Sequence, residues 1–556
     1  MASAFRKLGM AFCLVACAAN AAIAQVIPPS TGQERERFTE PLAPRAQPGG
    51  AVISLPSTAA PPGAEKIKIV LRGVHVVGST VYTPDTLAQL YKDELGHSVS
   101  LQSVYDLAQR ITAKYGKDGY VLSRAIVPPQ NLDPGGAVVK IQVVEGYIDK
   151  VEWPAKLSRY RDFFSSYAAK ITGERPANIR TIERYLLLAG DLPGLKFSTR
   201  LKPSETHPGA STLVAEVTEK PVDALERFDN RGTQARGPAE FLASATVNNV
   251  LGGHEALTLT YAGALPLKEL QYVAGYYRQV LTSEGLTAFV DGSYSWGTPG
   301  TLDLESLRLA TNSGIGEAGL SYPVIRSREK NLTLTGLAFL SDNYSDILDT
   351  RFNQDRLRGF RVRADADAAD SLLGINQFNV IFSQGLIGLG SSQNGDLLAS
   401  RAAGRVDFSK VEASISRLQP LFDHFSAYAS VYGQYAFTPL LVPEQCGFGG
   451  RFFGRAYEPS QLLGDSCIEA IGELRYDIPV TAQVLSNVQF YAFSDYGKLY
   501  TLDAAVGTPS STNGASAGAG VRLDFQNHFT TDVQAAKAVA GPRDDWRFFI
   551  IATARY

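Results

Sequence analysis

The sequence predicts a mainly β membrane protein, an antiparallel β-barrel of about sixteen strands that follows two small α/β domains. Three observations support this fold class. After residue 221, long stretches alternate apolar residues with small or polar ones at a period of two. Between residues 66 and 220, short strands and helices of apolar periodicity recur instead. The composition, with 51 Gly, 25 Tyr and 27 Phe beside 2 Met, is typical of β structure with aromatic belts.

Charge and residue usage exclude several classes of function. The 556 residues carry 53 Lys and Arg against 55 Asp and Glu, which argues against a nucleic-acid partner held by phosphate attraction. The six histidines are scattered without a metal-binding motif, so we expect neither a metal nor a cofactor. After the first residues no apolar run reaches the length of a transmembrane helix, which excludes a helical membrane span.

The N-terminus reads as an export signal. A basic pair at 6–7, an apolar stretch at 8–19 and an A-x-A motif at 22–24 predict a signal peptide over residues 1–24. The lipobox-like string Leu14-Val15-Ala16-Cys17 would instead indicate a lipoprotein. Either reading places the mature chain outside the cytoplasm.

Residues 25–65 are rich in Pro, Ala and Gly and are predicted to be a linker. One charged island interrupts them, Gln33-Glu34-Arg35-Glu36-Arg37-Phe38, and it has the pattern of a short helix. The segment is too small and too polar to bury a core of its own.

Two α/β units follow, over residues 66–146 and 147–220. In each, a strand is followed by two helices and two further strands, so the order of elements repeats although the residues do not. The helices are expected at 83–95, 103–115, 160–171 and 179–189, and the strands at 68–71, 74–77, 119–127, 138–144, 148–153, 195–202 and 211–218.

The alternating region, residues 221–556, predicts the barrel. Leu257, Leu259 and Tyr261 alternate with threonine and alanine, and the same pattern recurs at 286–295 and 425–437. A soluble β-sandwich would alternate as well. Against it stands the last strand, in which one face is apolar and the chain ends on an aromatic residue. That face carries Phe548, Ile550, Ala552, Ala554 and Tyr556.

A glycine-rich excursion, Cys446 to Cys467, separates two long alternating segments. Its glycines permit backbone angles and close approaches that would let it fold back into a confined space, and Arg455 lies near its middle. A disulfide between the two cysteines would stabilise such a loop by about 3 kcal/mol. An ordinary surface loop with a tolerated arginine would have a similar sequence.

Six short strings occur in the order found in a known family. The strings are Val77-Gly78-Ser79-Thr80, Gly119-Tyr120-Val121, Val127-Pro128-Pro129-Gln130, Glu145-Gly146, Ile182-Glu183-Arg184 and Asp191-Leu192-Pro193-Gly194. With them, the chain resembles the two-partner secretion transporters (TpsB family, of the haemolysin and haemagglutinin secretion-activation type), whose barrel follows paired POTRA domains. Two barrel strings, Phe228-Asp229-Asn230-Arg231-Gly232 and Ser321 to Arg328, also resemble family motifs, and we interpret them as strand ends and turns that need not act.

The resemblance implies a function and a site. It implies a monomeric outer-membrane barrel, surrounded by lipid, that secretes a large unfolded exoprotein recognised by its periplasmic POTRA domains. Gly454-Arg455-Ala456-Tyr457 is similar to the tip of a loop that enters the lumen in this family, and Phe493-Ser494-Asp495 to the motif on the inner wall that receives its arginine. A bidentate pair between Arg455 and Asp495 is therefore predicted. Gly454 and Ala456 depart from the family pattern, in which a β-branched residue and a glycine occupy these positions.

Substrate recognition is expected to use the exposed edge of a POTRA strand, to which an extended chain adds by main-chain hydrogen bonds. The candidate residues are Val138 and Ile141 in the first unit and Leu195 and Phe197 in the second. The charged island at 33–38 is predicted to plug the lumen as a helix.

Three alternatives remain open at this point. An insertase of the same superfamily would assemble other barrels, and a passive channel would need neither POTRA domain. An enzyme is suggested only by Gly514-Ala515-Ser516-Ala517-Gly518, which matches G-x-S-x-G. Because no helix is predicted after it, this string is expected to be a loop rather than a nucleophile elbow.

Overall fold

A computed structural model describes residues 35, 37–39, 43–49, 59–160, 162–207, 209–482, 484–526 and 528–556. The predicted signal peptide and the lipobox-like string lie outside these residues. Two sheets with helices packed on them precede a closed barrel. In the described residues, no helix combines the length and the apolar character needed to cross a membrane.

The first α/β domain has a four-stranded sheet in the order β2-β1-β4-β3, in which β1 and β4 run parallel. The second helix covers the sheet with Leu107, Ile111 and Tyr115. The first helix was expected to reach Leu95 but ends at Ala88, since Leu87 is its only buried residue and one turn is all that packing stabilises. The elements are β1 (Lys68–Val77), α1 (Pro84–Ala88), β2 (Ser98–Ser100), α2 (Leu101–Lys117), β3 (Arg124–Ile126) and β4 (Ala137–Val144).

Glu145 shows what the short motifs do in this domain. Its carboxylate accepts hydrogen bonds from the Thr80 backbone N–H (2.8 Å) and the Tyr115 hydroxyl (2.7 Å). Burial raises the pKa of Glu145, but these bonds and those from the Thr80 hydroxyl and the Val81 N–H outweigh it and hold the pKa below its usual range. Gly78 has φ +84°, and a Cβ there would lie 2.4 Å from the Val143 carbonyl oxygen. Both motifs therefore fix the turn after β1.

The second α/β domain has a three-stranded sheet in the order β5-β7-β6, with two helices on one face. Tyr167 and Ile171 from the first helix and Leu188 from the second fill its core. Its elements are β5 (Tyr147–Glu152), α3 (Phe164–Gly173), α4 (Ile179–Gly190), β6 (Leu195–Pro203) and β7 (Ala210–Glu219).

Sixteen strands form the barrel, each antiparallel to its neighbours, and β25 pairs with β8 to close it. The predicted fold class is confirmed. The helix α5 (Leu302–Ser306) lies in one connection. The strands are β8 (Val222–Asp229), β9 (Ala239–Asn248), β10 (Glu255–Leu265), β11 (Gln271–Val280), β12 (Thr287–Gly297), β13 (Ala310–Arg326), β14 (Lys330–Ile347), β15 (Thr350–Ala369), β16 (Ile375–Gly385), β17 (Ser409–Pro420), β18 (Phe425–Ala436), β21 (Ser466–Pro479), β22 (Leu485–Tyr500), β23 (Ser511–Phe525), β24 (Phe529–Ala540) and β25 (Trp546–Arg555).

The second α/β domain is attached to one end of the barrel, here called the proximal end. The Asp191 carboxylate accepts hydrogen bonds from Nε and Nη2 of Arg326 at 2.7 and 2.9 Å. Arg326 is the last residue of β13. Glu284, in the turn between β11 and β12, accepts from the Tyr185 hydroxyl at 2.9 Å. Two of the strings singled out in the sequence, at 191–194 and 321–328, therefore meet at this junction.

Candidate functional site in the barrel lumen

The connection from β18 to β21, residues 437–465, folds into the barrel and is called the lumen loop. It contains a two-stranded hairpin, β19 (Cys446–Phe448) and β20 (Leu462–Gly464). Phe448 is fully buried against the wall, where Gly497 and Gly514 make room for it: a Cβ on either would lie 2.3 or 2.8 Å from the ring. The wall therefore has a recess that matches the loop.

The tip of the lumen loop turns at Gly454, whose φ is +65°. Its carbonyl accepts from the Tyr457 N–H at 2.8 Å, and a Cβ would lie 2.7 Å from Phe448. Only glycine suits this position. Ala456 is fully buried and is not among the residues with positive φ. The two departures from the family pattern thus belong together, because the left-handed residue of this turn is at 454.

Arg455 is buried, but its guanidinium does not pair with Asp495 as predicted. Nη1 lies 2.8 Å from Oε2 of Glu473, and the guanidinium stacks on Phe493 at 4.4 Å. Asp495 instead accepts the Arg455 backbone N–H at 3.2 Å. Its other oxygen is taken by the hydroxyl and the N–H of Ser516, at 2.6 and 3.1 Å, which leaves no free edge for a bidentate arginine.

Glu473, which the sequence reasoning missed, is the acceptor for three arginines. Besides Arg455, Nε of Arg475 lies 2.6 Å and Nη1 of Arg522 2.8 Å from its Oε1, and the Glu473 side chain has no exposed surface. Such a site lowers the cost of burying the carboxylate and holds the loop to the wall. The sequence pattern that could have identified Glu473 is an acidic residue at an inward position of β21, between the outward Gly472 and Leu474.

Arg231, which lies just after β8, holds the lumen loop from the adjoining part of the wall, formed by β24, β25 and β8. Its Nη1 donates to the Gly450 carbonyl at 3.1 Å and its Nη2 to Oε1 of Gln534 at 2.8 Å, while the guanidinium lies 4.3 Å from the Phe549 ring centroid. The string at 228–232, interpreted from sequence as a strand end, therefore contacts the loop directly.

The string Gly514 to Gly518 lies within β23 and is not a loop, which corrects the expectation. Ser516 is hydrogen-bonded to Asp495. A Cβ at Gly518 would lie 2.7 Å from Phe493, so this glycine makes space for the ring under Arg455. The G-x-S-x-G pattern here serves packing of the lumen loop.

A disulfide joins Cys446 of β19 to Cys467 of β21, with 6.5 Å between their Cα atoms. It ties the base of the lumen loop to the barrel wall. The pairing is the one anticipated from the sequence.

Removing this disulfide is expected to loosen the loop base. In Cys446→Ser/Cys467→Ser, loss of the cross-link lowers the stability of the loop by up to about 3 kcal/mol. Amide exchange over 446–464, followed by mass spectrometry, is expected to rise, and a reductant is expected to do the same to the wild type. The reductant has no target in the double variant, which serves as its control. Unchanged exchange in both would contradict a role for the bond.

A second element lies in the lumen. Arg35, Arg37 and Phe38, from the charged island, have helical backbone. Arg35 donates to Asp291 and, at 2.8 Å, to Glu317 on the wall. The Nε of Arg37 lies 3.0 Å from Glu240, and Phe38 is buried with its ring 4.9 Å from that of Tyr272. Residues 43–49 then pass the proximal end, where the Gln47 N–H donates to the Arg328 carbonyl.

A chain of charges links this segment to the base of the lumen loop. Glu317, which binds Arg35, also accepts from Nη1 of Arg361 at 2.6 Å. Nη2 of Arg361 donates to Glu444 at 2.8 Å, and Glu444 lies 2.9 Å from Lys410. Glu444 lies two residues before the hairpin of the loop. The charge chain is thus Arg35, Glu317, Arg361, Glu444 and Lys410.

Two family models match the chain. The model of the haemolysin secretion/activation protein ShlB/FhaC/HecB covers residues 209–523, and that of the POTRA domain, ShlB-type, covers 69–146. The chain belongs to the ShlB/FhaC/HecB family. The family recognised from the motifs is thereby confirmed. As in the rest of the family, the barrel lies in the outer membrane and the α/β domains are periplasmic POTRA domains, so the proximal end faces the periplasm.

Relatives match over almost the whole length. The outer membrane transporter CdiB of Dickeya dadantii is 24% identical over 546 residues, 92% of each chain. The heme/hemopexin transporter protein HuxB of Haemophilus influenzae is 23% identical over 528 residues, 92% of this chain and 91% of its own. The structure of CdiB from Escherichia coli has the same fold, with a TM-score of 0.70 at 20% identity, covering 90% of this chain and 94% of that chain.

The four predicted substrate-binding residues of the POTRA domains differ in how far their side chains are exposed. Val138 is 63% exposed, but Ile141 and Leu195 are buried in the two cores, since alternation turns them away from solvent. Phe197 is half-buried and packs on Trp153. Ile141 and Leu195 can therefore offer a substrate only the backbone of their strands, and substrate binding there stays a prediction.

The two candidate strand edges also differ. In β4, the Gln130 side chain occupies the edge: its Nε2 donates to the Lys140 carbonyl and its Oε1 accepts the Lys140 N–H, both at 2.8 Å. It takes the place of a neighbouring strand. β6 is at the edge of its sheet, and within the described residues no strand pairs with its outer side. Of the two, β6 has the open edge.

Gln130→Ala is expected to uncover the β4 edge. Two hydrogen bonds are lost, each worth about 0.5–1.5 kcal/mol, so the Lys140 amide is expected to exchange faster by roughly an order of magnitude. Exchange mass spectrometry on the full-length protein measures this. Gln102→Ala, which removes a side-chain contact to Asp106 on the surface of α2, is the matched control and leaves Lys140 unchanged. Equal exchange in Gln130→Ala and wild type would show that the edge is protected in another way.

Proposed function

We propose that this chain is an outer-membrane transporter for two-partner secretion, which binds one large unfolded exoprotein in the periplasm and passes it through its barrel to the cell surface. The observation that carries the proposal is the filling of the lumen. Arg35, Arg37, Phe38 and the lumen loop lie in the lumen, and ion pairs attach both elements to the wall, in the loop alongside the disulfide and the packing of Phe448. Such contacts can be exchanged for others as a chain enters.

The proposed division of the chain follows from this. Residues 1–24 are the signal peptide, 25–65 contain the plug helix and its linker, 66–146 and 147–220 are the two POTRA domains, and 221–556 form the barrel. Arg35, Arg37 and Phe38 support the plug by their position in the lumen. The Pro-rich linker gives the plug the length to withdraw towards the periplasm.

Recognition is proposed at the outer edge of β6, in the second POTRA domain. This strand has nine residues, and an extended exoprotein segment can add to it by main-chain hydrogen bonds with little demand on sequence. Lys196 and Arg200 are exposed along it and favour acidic segments. Substrate side chains would meet Phe197 rather than Leu195.

The proposal needs no cofactor and no catalytic residue. The transporter acts as a monomer in contact with outer-membrane lipid, and folding of the exoprotein outside the cell supplies the direction of transport. The relatives named above are described as transporters.

The test is quantitative proteomics of the medium and the outer membrane from a deletion strain. We expect one large protein to disappear from the medium while other barrels keep their levels, and the wild-type gene to restore it. Complementation with Arg455→Ala is expected to restore secretion only in part. A general loss of outer-membrane barrels would overturn the proposal in favour of an insertase, and an unchanged medium would leave a passive channel.

A further inference from the structure

An apolar depression of about 780 Å³ lies on the outward face of the barrel, across strands β18 and β21–β25. Its periplasmic side is a row of bulky residues that are hydrogen-bond register partners from strand to strand. The row consists of Phe425, Tyr476, Phe490, Val521, Val533 and Ile550.

The floor of the depression is formed by small side chains. Ala492, Ala519 and Ala535 are register partners on three successive strands, between Leu474 at one end and Phe548 at the other. The depression exists because these three positions carry alanine instead of large side chains. The next row towards the cell exterior is also small and contains Gly472, Ser494 and Ala517.

The depression crosses the membrane obliquely. Phe425 is the first residue of β18 at the periplasmic end, whereas Phe548 lies two residues from the extracellular start of β25. Because barrel strands tilt by roughly 35–45°, a row running across them slopes from one leaflet to the other. An apolar depression that runs in this direction fits an acyl chain.

Lys537 marks the extracellular corner. It lies on the outward face of β24, two residues beyond Ala535, and its register partner on β25 is Trp546. Elsewhere on the outward wall, Arg417 is paired with Asp370 at 2.5 Å. Lys537, by contrast, forms no ion pair with any residue in the described part of the chain. A lysine facing lipid without a carboxylate is stabilised by an anion at the interface.

We propose that this depression is a lipid-binding site, which takes the acyl chains of a phosphate-bearing lipid of the outer leaflet and pairs its headgroup phosphate with Lys537. Trp546 lies beside Lys537 at the level where indole rings favour the interface. The apolar row and the alanine floor bury the chains, and the lysine selects the charge. The inference depends on the location of the barrel in the outer membrane and not on secretion.

The test is native mass spectrometry of the full-length protein in detergent, titrated with lipid A or with a diacylglycerol, which has acyl chains but no phosphate. Ala519→Phe is expected to weaken binding of both lipids by about tenfold, the loss when roughly two methylene groups no longer fit. Lys537→Gln is expected to weaken lipid A by about fivefold and to leave the diacylglycerol unchanged.

Ala413→Phe is the matched control, because Ala413 is exposed on the outward face of β17 and outside the depression. Ala535→Leu is a smaller obstruction of the same floor, should Ala519→Phe fail to fold. Heat-modifiable migration on gels reports folding of each variant. Equal weakening by Ala413→Phe and the floor variants, or no weakening by either floor variant, would overturn the site. A Lys537→Gln effect that is the same for both lipids would overturn the phosphate contact.

Discussion

Glu473→Gln is expected to release the lumen loop and to raise the resting conductance of the barrel. The carboxylate has no exposed surface and receives Arg455 from the loop and Arg475 and Arg522 from the wall. Without its charge, the buried guanidinium of Arg455 faces those of Arg475 and Arg522, which are partly buried. Removing one partner of a buried ion pair typically costs about 3–5 kcal/mol. Only Arg455 can move away with its segment, so the loop is the element that leaves.

Single-channel recording in planar bilayers and thermal unfolding of the purified protein measure the two consequences. Asp477→Asn is the matched control, since this carboxylate lies on the same strand and accepts from Asn487 and Gln489 at 3.2 and 2.8 Å. It is expected to leave conductance unchanged. If Glu473→Gln conducts like the wild type, the loop is held by the packing of Phe448 and not by charge.

The architecture could be read from the sequence because its determinants are local. The family resemblance implied the inward position of Asp495, and alternation at a period of two fixes which side chains of a strand share a face, so the barrel followed directly. The choice between acceptors for Arg455 did not, because it depends on register. Glu473 is the register partner of Phe493, two residues from Asp495 on β22, so both carboxylates face the same part of the lumen. Only the structure shows that the Ser516 hydroxyl already donates a hydrogen bond to the Asp495 carboxylate.

Contacts between distant segments were likewise beyond the sequence. Arg361 and Glu444 are 83 positions apart, and nothing in either neighbourhood identifies the other as its partner. Similarly, Val138 and Ile141 belong to one predicted edge strand, but side-chain alternation and Gln130 decide what that edge exposes. Signatures such as the one containing Gln130 were useful for recognising the family before their physical roles were apparent.

Arg361→Met is expected to loosen the plug segment and the lumen loop together. The guanidinium bridges Glu317 at 2.6 Å and Glu444 at 2.8 Å, and it stacks on Phe339 at 4.1 Å. Methionine retains apolar contact with the ring but leaves Glu317 with Arg35 alone and Glu444 with Lys410. Losing charged hydrogen bonds of about 1.5–3 kcal/mol each is expected to raise amide exchange at both segments by about tenfold or more.

Arg363→Met is the matched control, since Arg363 lies two residues along the same strand and pairs with Asp365 at 2.6 Å. It is expected to leave exchange at 37–39 and 443–448 unchanged. A response confined to one of these segments would show that Arg361 supports that segment alone.

The charge chain also predicts how displacement of one element affects the other. When Arg35 leaves Glu317, that carboxylate is balanced by Arg361 alone, which weakens the hold of Arg361 on Glu444. Arg35→Ala is therefore expected to raise exchange at the loop base as well as at the plug, and coupling between sites is reciprocal. In an Arg361→Met background the link is cut, so Arg35→Ala is expected to add nothing at the loop base. If Arg35→Ala still raised exchange at the loop base in the Arg361→Met background, the coupling would run by a route other than Arg361. No effect of Arg35→Ala at the loop base in either background would mean that plug and loop open independently.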